Sequence, residues 1–293
     1  MISYAEKAQI LVDALPYIKR LNGKTVVIKY GGSALTNPQV KDTIINDIAL
    51  MKLVGMKPVL VHGGGPEINA MLGRLDVKSE FVDGLRVTSD EAMEVVEMVL
   101  SGKVNKSIVS EIETKGVRAI GISGKDGGTI RARKLEKEGT DYGHVGEVEK
   151  VNTELLCSLI NNDFIPVIAP IGQDDEGNTY NINADYAAMD VAVALKAEKL
   201  LFLTDVPGVL KDVDDPASVI NFMGLEEIDP LINDGTISGG MIPKIECCRS
   251  VVKRGVNNVH IIDGRVENCL LLEIFTPMGI GTMVEKECRN KSE

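Results

Sequence analysis

Val26-Val27-Ile28-Lys29-Tyr30-Gly31-Gly32-Ser33-Ala34-Leu35 decides how the rest of the chain reads. Three β-branched residues make a short buried strand, a lysine stands near its end, and two glycines follow where the chain must turn. A glycine pair lets backbone N–H groups approach an anion because no Cβ intervenes, and the lysine adds a full positive charge beside those dipoles. Strand, lysine and bare turn together point to a phosphate or carboxylate site. An ordinary strand-to-turn junction with a surface lysine has the same local sequence, so the decision falls to further stretches of this character. Pro58-Val59-Leu60-Val61 runs into His62-Gly63-Gly64-Gly65-Pro66, and the strand 117–122 runs into Ser123-Gly124-Lys125-Asp126-Gly127-Gly128.

Outward from these turns the pattern alternates. Helical spacing of apolar residues marks 4–21, 38–54, 89–115, 153–162, 184–197, 225–234 and 240–254, and Pro66 starts another helix. Pro16 should kink the first of them. Short β-branched runs mark strands at 25–30, 58–61, 117–122, 165–169, 199–203 and 259–264, with a hairpin across 129–151 and a loop excursion over 205–222. Strands alternating with helices predict an α/β fold with a mostly parallel central sheet covered on both faces. In such sheets ligands sit beyond the carboxyl ends of the strands, so the turns at 31–32, 63–65 and 124–128 should converge on one edge.

Composition narrows the function. The chain has 293 residues, 44% of them hydrophobic, enough for one large domain or two lobes. Its net charge of −11 argues against nucleic acid, whose phosphates need a basic surface. It shows no basic run for anionic membranes, no apolar run of membrane-spanning length and no signal-peptide core, which predicts a cytoplasmic protein. Cys157, Cys247, Cys248, Cys269 and Cys288 are irregularly spaced and read as buried free thiols. His62, His144 and His260 are scattered and read as structural, so no resident metal is expected.

The P-loop, dinucleotide-binding and nucleophile-elbow patterns are absent. What remains is a set of anion-handling groups: Lys29, the Gly31–Gly32 and Gly64–Gly65 pairs, Arg86 in Asp83-Gly84-Leu85-Arg86-Val87-Thr88, Asn181-Ile182-Asn183-Ala184-Asp185 at a helix start, and Lys244 after Ser238-Gly239-Gly240. Phosphoryl transfer needs cations and donors around the moving group more than it needs covalent chemistry by the protein. Asn and Asp at a helix start also serve as ordinary caps.

These stretches, with Leu203-Thr204-Asp205-Val206-Pro207-Gly208-Val209 and His260-Ile261-Ile262-Asp263-Gly264-Arg265, resemble in content and order the amino-acid kinase family, most closely its acetylglutamate branch. The resemblance spans residues 25 to 284. It implies a three-layer αβα sandwich: an N-terminal helix 1–22 for oligomerisation, a lobe 23–175 for the amino acid and a lobe 176–293 for ATP, the two lobes forming one continuous kinase domain. It implies that Lys29 and Lys244 stabilise the transferring phosphoryl group and that Asp185 holds both lysines. Gly32 and Gly65 would donate N–H groups to that phosphoryl, and Gly64 and Gly65 would seat the substrate. Arg86 would bind the substrate's α-carboxylate and Asn181 its amide part. Nucleotide contacts would come from Lys29, Gly31, Thr204, Asp205, Val206, Pro207, Gly208, Val209, Lys211, Thr236, Ser238, Gly239, Gly240 and Lys244. Magnesium would arrive with ATP.

No general base stands beside Lys29 in the sequence. A hydroxyl acceptor generally wants one, whereas a side-chain carboxylate, with a free pKa near ~4.3, is already ionised. That favours an acyl phosphate product: ATP and N-acetyl-L-glutamate would give ADP and N-acetyl-L-glutamyl 5-phosphate. The resemblance further implies an arginine-inhibited homo-oligomer, a dimer or a trimer of dimers joined through the N-terminal helices, with Tyr17, His260, Glu273 and Gly279 as arginine contacts. Aspartate, glutamate, uridylate and carbamate kinases are rivals on the same fold. Tyr30 and the Gly63–Gly65 triplet fit the acetylglutamate branch better, and no second regulatory domain is expected after residue 284. A sensor that binds anions or arginine without turnover is the rival from another class, and intact Lys29, Asp185 and Lys244 disfavour it.

Overall fold

β-Branched runs build the centre of the molecule. A computed structural model describes residues 3–31, 37–137 and 139–287. The expected strands appear as β1 (Thr25–Tyr30), β2 (Lys57–His62), β5 (Ala119–Ser123), β8 (Ile165–Ala169), β11 (Lys199–Thr204) and β13 (Asn258–Asp263). Between β2 and β5 lies a small hairpin, β3 (Glu80–Val82) and β4 (Leu85–Val87). With β12 (Phe222–Gly224) and β14 (Thr282–Glu285) the main strands form an eight-stranded sheet in the order β12-β14-β13-β11-β1-β2-β8-β5. All its pairings are parallel except that of β13 with β14.

Two-residue periodicity sends the side chains of β1 to opposite faces. Val26, Ile28 and Tyr30 enter one core, and Val27 enters the other. The first core is covered by α2 (Pro38–Leu53), α3 (Gly65–Arg74), α4 (Asp90–Glu97), α5 (Asn105–Thr114) and α10 (Cys269–Ile274). The second lies under α6 (Glu154–Asn161), α7 (Ala184–Ala194), α8 (Ile228–Asn233) and α9 (Met241–Lys253). This is the helix–sheet–helix sandwich expected, and one sheet runs through both halves of the chain. α1 (Tyr4–Leu21) precedes β1, starts on a capping box between Ser3 and Glu6, and buries only Leu21. Pro16 lies inside it without ending it. Among the described residues, no helix is long and apolar enough to cross a membrane.

Several elements depart from the sequence reading. The helix expected over 89–115 is split by a π-helical segment, Met98–Val104, between α4 and α5. The hairpin over 129–151 is present as β6 (Ile130–Lys134) and β7 (Val145–Val151), but β9 (Ile171–Gln173) and β10 (Thr179–Ile182) join it in a closed four-stranded barrel. β9, β10, β12, β14 and α10 are three to six residues long, too short for periodicity to register. The helix at 225–234 shrinks to α8 after a 3₁₀ turn. Of the thiols expected to be buried, Cys248 and Cys269 are, Cys247 is half-buried and Cys157 is exposed; Cys288 lies outside the described residues.

One buried charge ties the two halves. Asp47 on α2 is fully buried, and its Oδ2 accepts from the Leu270 N–H, 3.1 Å away in the first turn of α10, while Oδ1 has no partner. Burial pushes its carboxyl up to about 7, against the backbone N–H groups of Leu271 and Leu270. The folded state therefore binds this proton more tightly than the unfolded chain, and the resulting stabilisation is lost as pH rises from about 4 to about 7. Asp47→Asn keeps an acceptor for Leu270 and removes the buried charge. Denaturant unfolding from pH 4 to 8 should show the variant gaining on the wild type as pH rises, by on the order of a few kcal/mol at pH 8. Parallel curves would contradict this.

Candidate active site

The carboxyl edge of the parallel strands carries the site. β1 pairs with β2 and β11 along its length, so Lys29 lies beside Val61 and Phe202 at the middle of that edge. The Gly63 N–H donates to the Tyr30 carbonyl at 2.8 Å, which sets the glycine turn after β2 beside the one after β1. Between these turns, β4, β10 and the start of α7 opens a cleft of about 300 Å³, the scale of a small-molecule site.

Lys29, Gly64, Gly65, Arg86, Asn181 and Asp185 all line this cleft. Asn183 caps α7 by accepting from the Asp185 N–H at 2.8 Å, which places Asp185 in the first helical turn. Its Oδ1 lies 3.0 Å from Lys29 Nζ. Gly65 opens α3, followed by Pro66 at a position where the missing N–H costs nothing. The Gly64 and Gly65 N–H groups have no acceptor among the described residues and stand at a helix N-terminus, where an anion is favoured. Asn181 is held by its N–H to the His144 carbonyl at 2.8 Å and by its side-chain amide to Thr88 Oγ1 at 3.3 Å.

Arg86 on β4 is 7% exposed. Its guanidinium stacks on Phe81, donates to Ser79 Oγ, and reaches the Gly65 carbonyl at 3.5 Å. Among the described residues it has no acidic partner, and burial alone lowers its pKa. A buried cation without a counter-charge is costly, and an anionic ligand in the cleft removes that cost.

A second pocket of about 470 Å³ is lined by 205–209, Thr236, Ser238, Gly240 and Lys244. Thr204 stands behind it, bonding Val206 and the Ile262 carbonyl, while Lys211 and Gly239 flank it. α7 packs on α9, and the half-buried Cys247 between them reports their charges. Its thiol is pushed up to about 11 by burial first and then by Asp185 and Glu246, with Lys244 opposing. Lys29 Nζ lies against Asp185 in the first cleft, and Lys244, three residues before Cys247 on α9, lines the second pocket. The pairing expected of Asp185 with both lysines is formed with Lys29 alone; Lys244 has no ion pair among the described residues.

A third, small pocket brings together Tyr17 and Arg20 of α1 with Lys199, His260, Glu273 and Gly279. His260 lies 2.8 Å from Lys199 Nζ and 2.6 Å from Glu273 Oε1. Burial raises the Glu273 carboxyl, but His260 and the Ile280 and Gly281 N–H groups outweigh it and hold it below the ordinary carboxylate value. A Cβ on Gly279 would stand 2.5 Å from Glu273 Oε2.

The strands before the three glycine turns end on one edge, as expected, but the turns do not share one pocket. The turn at 124–128 ends a parallel strand on the same edge but does not line the cleft, because β8 separates β5 from β2. Lys125 instead bridges Glu97 and Thr179. Gly32 lies outside the described residues. Sequence reasoning missed Phe81 and Leu100 in the cleft and Val213 and Met241 in the second pocket. Phe81 carried a signal, an aromatic five residues before an arginine on a predicted extended run; the others carried none.

A parallel sheet with two neighbouring pockets along its carboxyl edge, joined by lysines and helix N-termini, defines an α/β enzyme that transfers a group between anionic substrates. The sequence model of the amino acid kinase family matches residues 24–263, and the chain belongs to that family. Acetylglutamate kinase of Heliobacterium modesticaldum is 56% identical over 98% of this chain and 100% of its own. The solved N-acetylglutamate synthase of Neisseria gonorrhoeae, complexed with coenzyme A and N-acetyl-glutamate, superposes with a TM-score of 0.85 at 26% identity, covering 97% of this chain and 64% of that one. Its complex with coenzyme A and L-arginine gives 0.80 at 25% identity, over 97% and 66%. The chain spans about two thirds of that synthase.

The loop of the second pocket supplies a test of its own. Gly208 has φ +135°, and a Cβ there would stand 2.6 Å from Thr282 Oγ1, which accepts from the Val209 N–H at 2.8 Å. Gly208→Ala should cost about 1–3 kcal/mol in denaturant unfolding. An unchanged midpoint would contradict the anchoring of this loop on β14.

Proposed function

We propose that the chain transfers the γ-phosphoryl group of ATP to the side-chain carboxylate of N-acetyl-L-glutamate, giving ADP and N-acetyl-L-glutamyl 5-phosphate, a step of arginine biosynthesis. The observation that carries this reading is the buried Arg86, without an acidic partner among the described residues, in the same cleft as Lys29 and the Gly64–Gly65 donors. The near-full-length likeness to acetylglutamate kinases supports the choice of acid. Arg86 binds the α-carboxylate in a bidentate pair, and Asn181 hydrogen-bonds the acetamido group. The side-chain carboxylate then points at the glycine turn, and ATP lies in the second pocket against 204–209, Lys211 and 236–240.

The acceptor oxygen is already ionised at neutral pH, so no base is required. It forms the new P–O bond while the bond to the β-phosphate oxygen breaks and ADP leaves with that electron pair. Lys29 and Lys244 neutralise the charge on the equatorial oxygens, Asp185 holds Lys29 in place, and the backbone N–H group of Gly65 completes the cradle. Magnesium would arrive with the nucleotide and would supply further positive charge to its phosphates, which Lys29, Lys244 and the backbone donors hold. The pockets' lysines and backbone donors fit a cation delivered that way rather than one held by the protein alone.

The chain works as a cytoplasmic homo-oligomer in this reading, with the lobes 23–175 and 176–293 holding acid and nucleotide. The exposed Ile10, Leu11, Val12 and Leu15 on α1 suit a partner helix of a second copy, and the trimer of dimers is the assembly proposed. L-Arginine binds in the third pocket, its guanidinium against Glu273 and its carboxylate toward Lys199, beside Tyr17, His260 and Gly279. The Neisseria synthase complexed with L-arginine, on the same fold, supports an effector of that chemistry.

ADP release should be measured with N-acetyl-L-glutamate, L-aspartate, L-glutamate, carbamate and UMP, trapping any acyl phosphate with hydroxylamine. Turnover and hydroxamate with N-acetyl-L-glutamate alone are expected; equal or faster turnover of another acceptor would overturn the assignment. Lys29→Ala and Lys244→Ala should each lower kcat by about 100- to 1,000-fold with the fold kept. Near-normal rates in both would refute their roles. Arg86→Ala should mainly raise KM for the amino acid, and an unchanged KM would remove that contact. Arginine should inhibit the full chain, and removing residues 1–22 should break the larger assembly. Sedimentation showing it intact, or activity indifferent to arginine, would contradict the regulatory part.

A further inference from the structure

The turn that presents Gly64 and Gly65 is held from beneath by two buried polar residues. His62, the last residue of β2, is fully buried, and its Nδ1 lies 2.8 Å from the Gly63 carbonyl oxygen. A carbonyl only accepts, so Nδ1 carries the ring proton and Nε2 is left as an acceptor. Asn105, equally buried, opens α5 just after the π-helical segment and brings Nδ2 to 3.1 Å from that Nε2. The same Nδ2 faces the Val167 carbonyl at 2.9 Å and the Ile122 carbonyl at 3.3 Å. Three acceptors around one nitrogen fix the orientation of the amide, since Oδ1 in that place would face two carbonyl oxygens. Oδ1 instead accepts from Lys106 Nζ at 3.0 Å, and Lys106 also donates to the Gly121 carbonyl at 2.7 Å. Gly121 is obligatory here, because a Cβ would overlap Asn105 Oδ1.

The chain has no cis peptide among its described residues, so the Gly63 carbonyl and the Gly64 N–H point in opposite directions across one planar unit. Gly63 and Gly64 line the cleft and His62 does not. Turning the carbonyl down to the buried ring therefore turns the Gly64 N–H up into the cleft. We infer that His62 and Asn105 are positioning residues for phosphoryl transfer, acting through the Asn105–His62–Gly63 relay that fixes the Gly63–Gly64 peptide plane and aims the Gly64 N–H at the anion in the cleft. The inference rests on the reading of the cleft as a kinase site. Neither side chain touches substrate. The charged group facing the relay is Lys106, and burial first, with Lys106 adding, lowers the His62 pKa to about 4 against the Gly63 hydrogen bond. The ring stays neutral, in the one tautomer the relay uses, at the pH where the enzyme would work.

Two substitutions at one position separate positioning from packing. His62→Asn keeps an N–H where Nδ1 stands, able to reach the Gly63 carbonyl, but leaves a larger void. His62→Gln fills more of the space and meets Asn105 where Nε2 stands, but offers Gly63 no donor. Steady-state kinetics with ATP and N-acetyl-L-glutamate should keep kcat of His62→Asn within about tenfold of wild type. His62→Gln should lose about 100-fold in kcat, with KM for ATP changed little. Denaturant unfolding should rank them the other way, with Gln the more stable. Activities that follow stability, with Gln at least as active as Asn, would overturn the inference. ¹⁵N NMR of histidine-labelled wild type at pH 7 reads the relay without any variant or turnover. A neutral His62 protonated on Nδ1 is expected, and an Nε2–H tautomer or an imidazolium would overturn the relay. A wild-type protein that does not turn over N-acetyl-L-glutamate but shows the Nδ1–H tautomer would sink the kinase reading and, with it, the purpose assigned to the relay, while leaving its geometry in place.

Discussion

The ion pair between Lys29 and Asp185 is the constraint on which the site depends. Lys29 stands at the end of the central strand, flanked by parallel neighbours on both sides, where little water reaches it. A charge in that place needs a counter-charge, and Asp185 provides one at 3.0 Å from the first turn of α7. The pair joins a strand from the first half of the chain to a helix from the second, so forming it requires both halves to be docked. Everything placed along the carboxyl edge follows from that junction: the glycine turn bonded to Tyr30, the cleft beneath β4 and β10, and the second pocket next to α9.

Two other buried polar centres follow the same logic, one across the halves and one within the second. Asp47 fixes the start of α10 from α2, across the first core. Glu273 on that same α10 gathers His260 and the Ile280 and Gly281 N–H groups beneath the third pocket. α10 therefore lies between the helix that follows the catalytic turn and the pocket proposed for arginine.

The central fold was legible because six long, β-branched strands and most of the helices carry strong periodicity. The cleft was legible because its anion-binding parts are written as local motifs: Lys29 before Gly31, Gly63 to Gly65 before Pro66, Asn183 before Asp185. What escaped are features made by contacts distant in sequence. The barrel is closed by β9 and β10, strands of three and four residues without a periodic signature, which pair with the expected hairpin of β6 and β7. The π-helical segment reads as plain helix, yet it brings Leu100 against Gly64 and aims Asn105 at His62. The departure of the 124–128 turn from the cleft is a matter of strand order, which no local motif encodes.

The central claim is geometric: one migrating phosphoryl group is held between Lys29 and Lys244 while Arg86 grips the acid. A crystal structure of the full chain with N-acetyl-L-glutamate and a non-hydrolysable ATP analogue measures this directly. The expected result is both lysine ammonium groups within hydrogen-bonding distance of the γ-phosphoryl oxygens and the α-carboxylate on the Arg86 guanidinium. A γ-phosphoryl group outside the reach of either lysine, or an acid bound away from Arg86, would contradict the account.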